Sequence, residues 1–158
     1  PLIITAAGMF FFYARINLVY TFTGVILAHV ALATPFVVIT VTATLVGFDM
    51  NMVKAAQSLG AKPMRTFFKV IMPLILPGII SGALFAFITS FDEVVVVMFM
   101  ASIDQLTIPK QMWAGIRQEI SPVILCMATC LVVLSIVLLT TVELLRRRSE
   151  KLRGIKAR

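Results

Sequence analysis

The sequence predicts an all-helical protein that is embedded in a membrane. Of its 158 residues, 60% are hydrophobic and only 13% are charged, whereas soluble domains contain roughly 45–50% apolar and about 25% charged residues. Long apolar runs recur along the chain, and short polar stretches separate them. A chain of this composition cannot cover itself with polar surface, so it is not expected to be a soluble domain, and the bilayer is its natural solvent.

Four apolar segments account for the predicted membrane helices, because a spanning helix needs roughly 20 residues. Residues 1–14 are too few to span alone, and we expect them to be the end of a span that begins upstream. Pro35 is expected to kink the next helix, and Ser121 followed by Pro122 is typical of a helix start. The three complete spans are predicted at 21–48, 76–101 and 122–145.

The basic residues indicate how the chain lies across the membrane. Fourteen Lys and Arg against seven Asp and Glu give a net charge of +7. Seven of the basic residues lie in the tail 146–158, four lie in the loop 49–73, and three lie in the other connections. Because basic residues concentrate on the cytoplasmic side, we expect the loop and the tail there and 102–121 outside. Membrane topology therefore accounts for the charge, and no nucleic-acid partner is predicted.

The loop 49–73 is predicted to contain two short helices joined by a turn. Asp49 is placed to cap the first helix, which we expect over 50–59. Gly60 follows, and glycine is the residue best suited to the left-handed conformation that often ends a helix. The sequence therefore predicts a defined joint at this point of the loop.

The second helix of the loop is predicted to begin at Pro63, because proline fits the first turn of a helix. It should end near Val70, because Pro73 and Pro77 cannot donate a backbone hydrogen bond. Two roles are open for this helix-turn-helix. It can rest on the bilayer as an amphipathic element, or it can dock a cytoplasmic partner, with the small Ala55 and Ala56 allowing close approach.

A spaced motif runs through the same loop: Lys54-Ala55-Ala56, three residues, Gly60, nine residues, then Val70-Ile71-Met72-Pro73. It resembles the EAA loop of ABC importer permeases, which reads Glu-Ala-Ala, three residues, Gly, nine residues and Ile-x-Leu-Pro. Val70 and Met72 keep the apolar volume of that motif, whereas Lys54 reverses the charge of its acidic residue. In that family the loop forms a coupling helix, which fits a cleft on the ATP-hydrolysing subunit and transmits its closing motion to the membrane helices.

The similarity extends over nearly the whole chain. Three further segments, Ser90–Val96, Leu106–Pro109 and Gln111–Arg117, are similar to the C-terminal half of permeases of the spermidine/putrescine-type importers. The resemblance implies the type I ABC importer permease fold, here its C-terminal portion with about four transmembrane helices and the coupling helix. It also implies a multi-pass protein of the bacterial inner membrane, with a cytoplasmic C-terminus.

The resemblance further implies a transport subunit for polyamines or a related small solute, which is not itself an enzyme and needs no cofactor. ATP hydrolysis is then expected on two separate ATP-binding subunits. A second permease subunit, either a copy of this chain or a different one, and an external solute-binding protein complete the expected importer.

Two adjacent acids, Asp92 and Glu93, lie inside the predicted span 76–101. An ionised carboxylate at bilayer depth costs at least about 2.5 kcal/mol, so these side chains should face protein or water. Adjacent helical residues point about 100° apart, so one can line a path while the other pairs with a neighbouring helix. Two interpretations stay open: the acids help a cationic solute to cross, or they form a hydrogen-bonded pair that fixes helix packing.

Trp113 is expected at the membrane interface or in a re-entrant gate beside the solute path.

An alternative class of function is an intramembrane enzyme or a channel that uses Asp92 and Glu93. The sequence shows no metal-ligand spacing, no nucleophile with a base and no glycine-rich phosphate loop that would support an enzyme. A channel would not require a cytoplasmic joint of this spacing.

Overall fold

The helices follow the apolar runs of the sequence in a computed structural model, which describes residues 1–118 and 122–152. The predicted cap at Ser121 and the last tail residues, 153–158, lie outside the described residues. Within the described ranges the regular secondary structure is all helical, and no strand occurs there. The elements are α1 (Leu2–Arg15), α2 (Phe22–Val46), α3 (Asn51–Ser58), α4 (Pro63–Thr66), a π-helical turn (Phe67–Ile71), α5 (Met72–Phe91), α6 (Val95–Met100), α7 (Ile108–Gln118) and α8 (Pro122–Leu152).

Three stretches of helix are long and apolar enough to cross a membrane. They are Phe22–Val46 with 25 residues, Pro63–Phe91 with 29 and Pro122–Thr141 with 20. At about 1.5 Å of rise per residue, each reaches the roughly 30 Å thickness of the hydrocarbon core. The shorter α1 is also apolar. The prediction of an all-helical membrane protein is confirmed.

The second loop helix does not end near Val70, so that prediction is wrong. α4, the π-helical turn and α5 follow one another without a gap, and Pro73 and Pro77 both lie within this helix. Because Pro73 has no N–H, the carbonyl of Lys69 cannot receive an α-helical hydrogen bond from it. Lys69 lies in the π-helical turn, where wider i→i+5 bonding replaces the α-helical pattern and lets the helix pass the proline.

The chain divides into two compact units, and the first consists of Pro1–Thr34 and Ala86–Leu139. In this unit α1 packs against the short helix α6. The centre of its core is made of four fully buried residues: Ala6, Ala28, Val96 and Met100. Two of the four are alanines, whose small side chains let the helices that carry them approach closely.

The start of α2 is fixed by a cap in the same unit. The Thr21 hydroxyl accepts a hydrogen bond from the Gly24 N–H at 3.0 Å and donates to the Leu18 carbonyl at 2.7 Å. This arrangement satisfies one of the free N–H groups at the helix start. A Cβ atom at Gly24 would collide with the Leu18 carbonyl oxygen, so only glycine fits the tight entry into α2.

The second unit consists of Pro35–Phe85 and, within the described residues, 140–152. Here α2 and α5 pack together through Gly78 and Gly82, which are four residues apart and therefore on one helical face. A Cβ atom at Gly82 would lie 2.5 Å from the Thr40 hydroxyl oxygen, and one at Gly78 would collide with the Thr44 hydroxyl. Small residues at this spacing are typical of close helix contacts in membranes, where packing drives association.

Candidate functional site

The turn between α3 and α4 has a defined geometry. Asp49 accepts a hydrogen bond from the Asn51 N–H at 2.9 Å, which anchors the start of α3. At the other end the N–H groups of Gly60 and Ala61 donate to the carbonyls of Gln57 and Ala56, at 2.9 and 3.1 Å. These two bonds form a Schellman motif. Gly60 has φ +77°, so the predicted left-handed turn is confirmed.

The seven defined residues of the spaced motif, in which Ile71 occupies the variable position, do not all lie at one place. Ala56, Gly60 and Val70 line a common cavity of about 300 Å³ between α3 and the helix that follows. Lys54 and Ala55 lie on α3 and are exposed, whereas Met72 and Pro73 open α5 and are half-buried. The other lining residues of the cavity are Leu59, Ala61, Arg65, Thr66 and Lys69.

The α3–α4 joint leads into the long apolar helix through two residues, Ala61 and Lys62. Lys62 is extended, as expected of a residue before proline, and Pro63 starts the helix that continues to Phe91. Thr66 is buried at 2% exposure, and its hydroxyl donates to the Lys62 carbonyl at 3.2 Å. The α3–α4 joint is therefore followed directly by a long apolar helix.

The prediction of a helix through Asp92 and Glu93 is wrong. α5 ends at Phe91 and α6 begins at Val95, so both acids lie in a break between two helices. Glu93 is buried, with 6% of its surface exposed, and its Oε1 accepts the Val96 N–H at 2.6 Å. The first N–H groups of a helix have no partner within the helix, and the Glu93 carboxyl supplies one for α6.

A basic residue caps the other end of α6. Lys110 Nζ donates to the Ala101 carbonyl at 3.4 Å and to the Ser102 carbonyl at 3.0 Å. An acid at the start and a base at the end both complement the helix dipole. Sequence patterns do not mark Lys110 for this role, because it lies ten residues beyond Met100, the end of α6.

Asp92 differs from Glu93 in its surroundings, because its side chain is exposed. Trp113, the other predicted path residue, lies on α7 and is 46% exposed. The structure thus separates the two acids by environment. Glu93 is occupied by its backbone partner, whereas Asp92 is accessible from outside the chain.

The first unit contains a cavity of about 610 Å³. Its lining includes Ser90 and Phe91, which directly precede the two acids in the sequence. His29 Nδ1 and Ser90 Oγ line it and lie 2.9 Å apart. Phe87 and Phe91 form a stacked pair on its wall, with ring centroids 5.2 Å apart. None of the described residues that line the cavity is charged. In the sequence, His29 marks this cavity as a polar residue within an apolar run.

Comparison with known proteins places these features in a family. Residues 1–151 match the family described as "Binding-protein-dependent transport system inner membrane component". The chain is 32% identical over 149 residues to the spermidine/putrescine transport system permease protein PotC of Haemophilus influenzae, covering 94% of this chain and 58% of that protein. It is 31% identical to the protein of the same name from Escherichia coli K12, covering 96% of this chain and 57% of the relative.

A third relative is the putrescine transport system permease protein PotI of Escherichia coli K12. It is 36% identical over 103 residues, which cover 65% of this chain and 37% of the relative. The chain thus spans less than two thirds of the length of these curated relatives. The match to the family covers nearly the whole chain, including the α3–α4 joint and the break between α5 and α6. The chain therefore belongs to the family of binding-protein-dependent transport system inner membrane components.

Proposed function

We propose that the chain forms part of the permease subunit of an ATP-driven importer for polyamines. The single observation that carries this proposal is the left-handed Gly60 turn between α3 and α4, followed by one helix that runs from Pro63 to Phe91. The relatives named for spermidine and putrescine transport support the choice of solute. Two ATP-binding subunits, a second permease subunit and an external solute-binding protein are the proposed partners.

The proposed mechanism is mechanical. The loop 49–73 and the C-terminus lie on the cytoplasmic side, as the excess of basic residues there favours. ATP-driven closure of the two ATP-binding subunits moves α3 and the Gly60 turn. Because only Ala61 and Lys62 separate this turn from the helix that continues to Phe91, the motion tilts that helix and changes access to the solute path. Pro63 starts this helix, and the Thr66 hydroxyl ties its first turn to the Lys62 carbonyl.

Gly60 tests the coupling role. Gly60→Val is expected to lower ATP-dependent uptake of spermidine, and retention of the ATP-binding subunit on purification, by about tenfold. The reason is conformational, since the φ of +77° costs an L-residue about 1–2 kcal/mol and no heavy atom beyond the turn lies within 4 Å of an added Cβ. The measurement uses the complete importer, with the full-length subunit, in proteoliposomes.

Gly60→Asn is the matched control, because asparagine tolerates the left-handed region. It should keep most of the uptake. If valine and asparagine both leave transport at the wild-type level, the joint does not carry the coupling motion. If the wild-type importer takes up neither spermidine nor putrescine, the proposed solute is wrong.

Asp92 tests the path for a cation. We propose that its exposed carboxylate contacts the cationic solute, that Glu93 holds the helix break, and that Trp113 borders the same path. Asp92→Asn is expected to lower uptake about fivefold, since a partly exposed charge pair contributes at most about 1 kcal/mol. ATP hydrolysis stimulated by the solute-binding protein should change little. Unchanged uptake would remove Asp92 from the path.

A further inference from the structure

The coupling loop of this chain carries positive charge that its own residues leave unpaired. Four basic residues lie in the loop 49–73, and Asp49 is its one acid. The Asp49 carboxyl accepts the Asn51 N–H. The basic side chains are all exposed, and none forms an ion pair within the part of the chain that the structure describes: Lys54, Lys62, Arg65 and Lys69.

Two of these cations converge on the cavity in the loop. Arg65 and Lys69 are four residues apart, hence on one face of the helix, and both line the cavity of about 300 Å³. The remaining walls are small or apolar, and no acid is among the described residues that line it. Its volume lies at the lower limit of small-molecule sites, so it suits one inserted side chain better than a whole ligand.

The residue at position 54 is also a cation, like Arg65 and Lys69. Lys54 stands where the resembling motif has an acidic residue. An acid there would repel an anionic group that approaches the loop, whereas Lys54 adds attraction. The exchange therefore fits a partner surface that is negative at this point.

We propose that the ATP-binding subunit places an Asp or Glu side chain in the cavity between Arg65 and Lys69, so that the charge of the coupling contact is reversed relative to the acidic motif. This inference rests on the proposed function. The planar guanidinium group of Arg65 presents its N–H donors in a fork, which suits a carboxylate held by two parallel hydrogen bonds. The exposed Leu59, at 88% exposure, adjoins the cavity and offers apolar contact around the charged centre.

An anionic membrane surface is the competing source of negative charge. The negative potential of such a surface would attract all four basic side chains of the loop, and this attraction would need no cavity. Lys62 distinguishes the two cases, because it belongs to the same loop but does not line the cavity.

The test is charge reversal in the complete importer. Arg65→Glu and Lys69→Glu are each expected to weaken binding of the purified ATP-binding subunit to the detergent-solubilised membrane subunits by at least about tenfold. The matched control Lys62→Glu should stay within about twofold of wild type. Reversing the acids on the membrane-facing surface of the ATP-binding subunit to Lys, one at a time, should yield one replacement that restores binding to Lys69→Glu.

Three outcomes would overturn the inference. Equal losses for the three reversals would indicate a general field and no defined carboxylate site. Losses that occur only in phosphatidylglycerol vesicles, with detergent binding unchanged, would assign the cations to lipid. Normal binding of both cavity variants in an importer that still transports spermidine would leave the proposed function intact and refute the carboxylate site. Circular dichroism and elution volume establish that each variant is folded.

Discussion

Gly78→Ala is expected to destabilise the second unit by about 2–3 kcal/mol, because a core that is already close-packed cannot accept an extra methyl group without strain. The added Cβ would collide with the Thr44 hydroxyl and would lie 3.1 Å from the Thr40 carbonyl oxygen. The hydroxyl cannot turn away freely, since it donates to that same carbonyl at 2.9 Å. The helices must therefore move apart or Thr44 must give up its hydrogen bond.

The measurement is the thermal unfolding midpoint of the full-length subunit in detergent. Gly8→Ala is the matched control, because Gly8 lies within α1 and nothing is within 4 Å of its added Cβ. That variant should be neutral or stabilised by up to about 1 kcal/mol through helix propensity. The double variant Gly78→Ala with Thr44→Ala should recover part of the loss. Equal behaviour of Gly78→Ala and Gly8→Ala would show that the two helices do not depend on close approach at Gly78.

Local chemistry makes the helix joint predictable from the sequence. Gly60 after a short helix and Pro63 at the next helix start are signals that act within a few residues. The structure has the left-handed turn at Gly60 and a helix start at Pro63. The long apolar helices near 21–48 and 122–145 follow from the length of the apolar runs, because the hydrocarbon thickness sets how many residues are needed. The run 76–101 instead contains the end of one helix, a break and a second helix.

The errors arise where the backbone depends on longer-range contacts. The helix break at Asp92–Val94 lies among apolar residues, and neither Gly nor Pro marks it. It is held by the burial of Glu93 and by the packing of α6 against α1, which no local pattern reveals. Pro73 is the opposite case. It predicts a helix end, but the π-helical turn before it absorbs the missing hydrogen bond.

Glu93→Ala is expected to cost about 3 kcal/mol of stability, because it removes the partner of a buried N–H and leaves a cavity. Val96 is fully buried, so water cannot easily replace the lost carboxyl oxygen. The first turn of α6 should then fray. Faster hydrogen exchange at the Val96 and Val97 amides would report this directly, together with a lower unfolding midpoint.

Two amide replacements separate structure from transport at the helix break. Glu93→Gln retains an oxygen that can accept the Val96 N–H, so its loss should be about 1 kcal/mol and well below that of alanine. Asp92→Asn changes an exposed side chain and should alter stability by at most about 0.5 kcal/mol. If Glu93→Gln abolished uptake while the unfolding midpoint stayed at the wild-type value, the Glu93 charge would belong to the solute path. If replacing Glu93 lowers stability and replacing Asp92 lowers uptake, the buried acid shapes the helix break and its exposed neighbour contacts the solute.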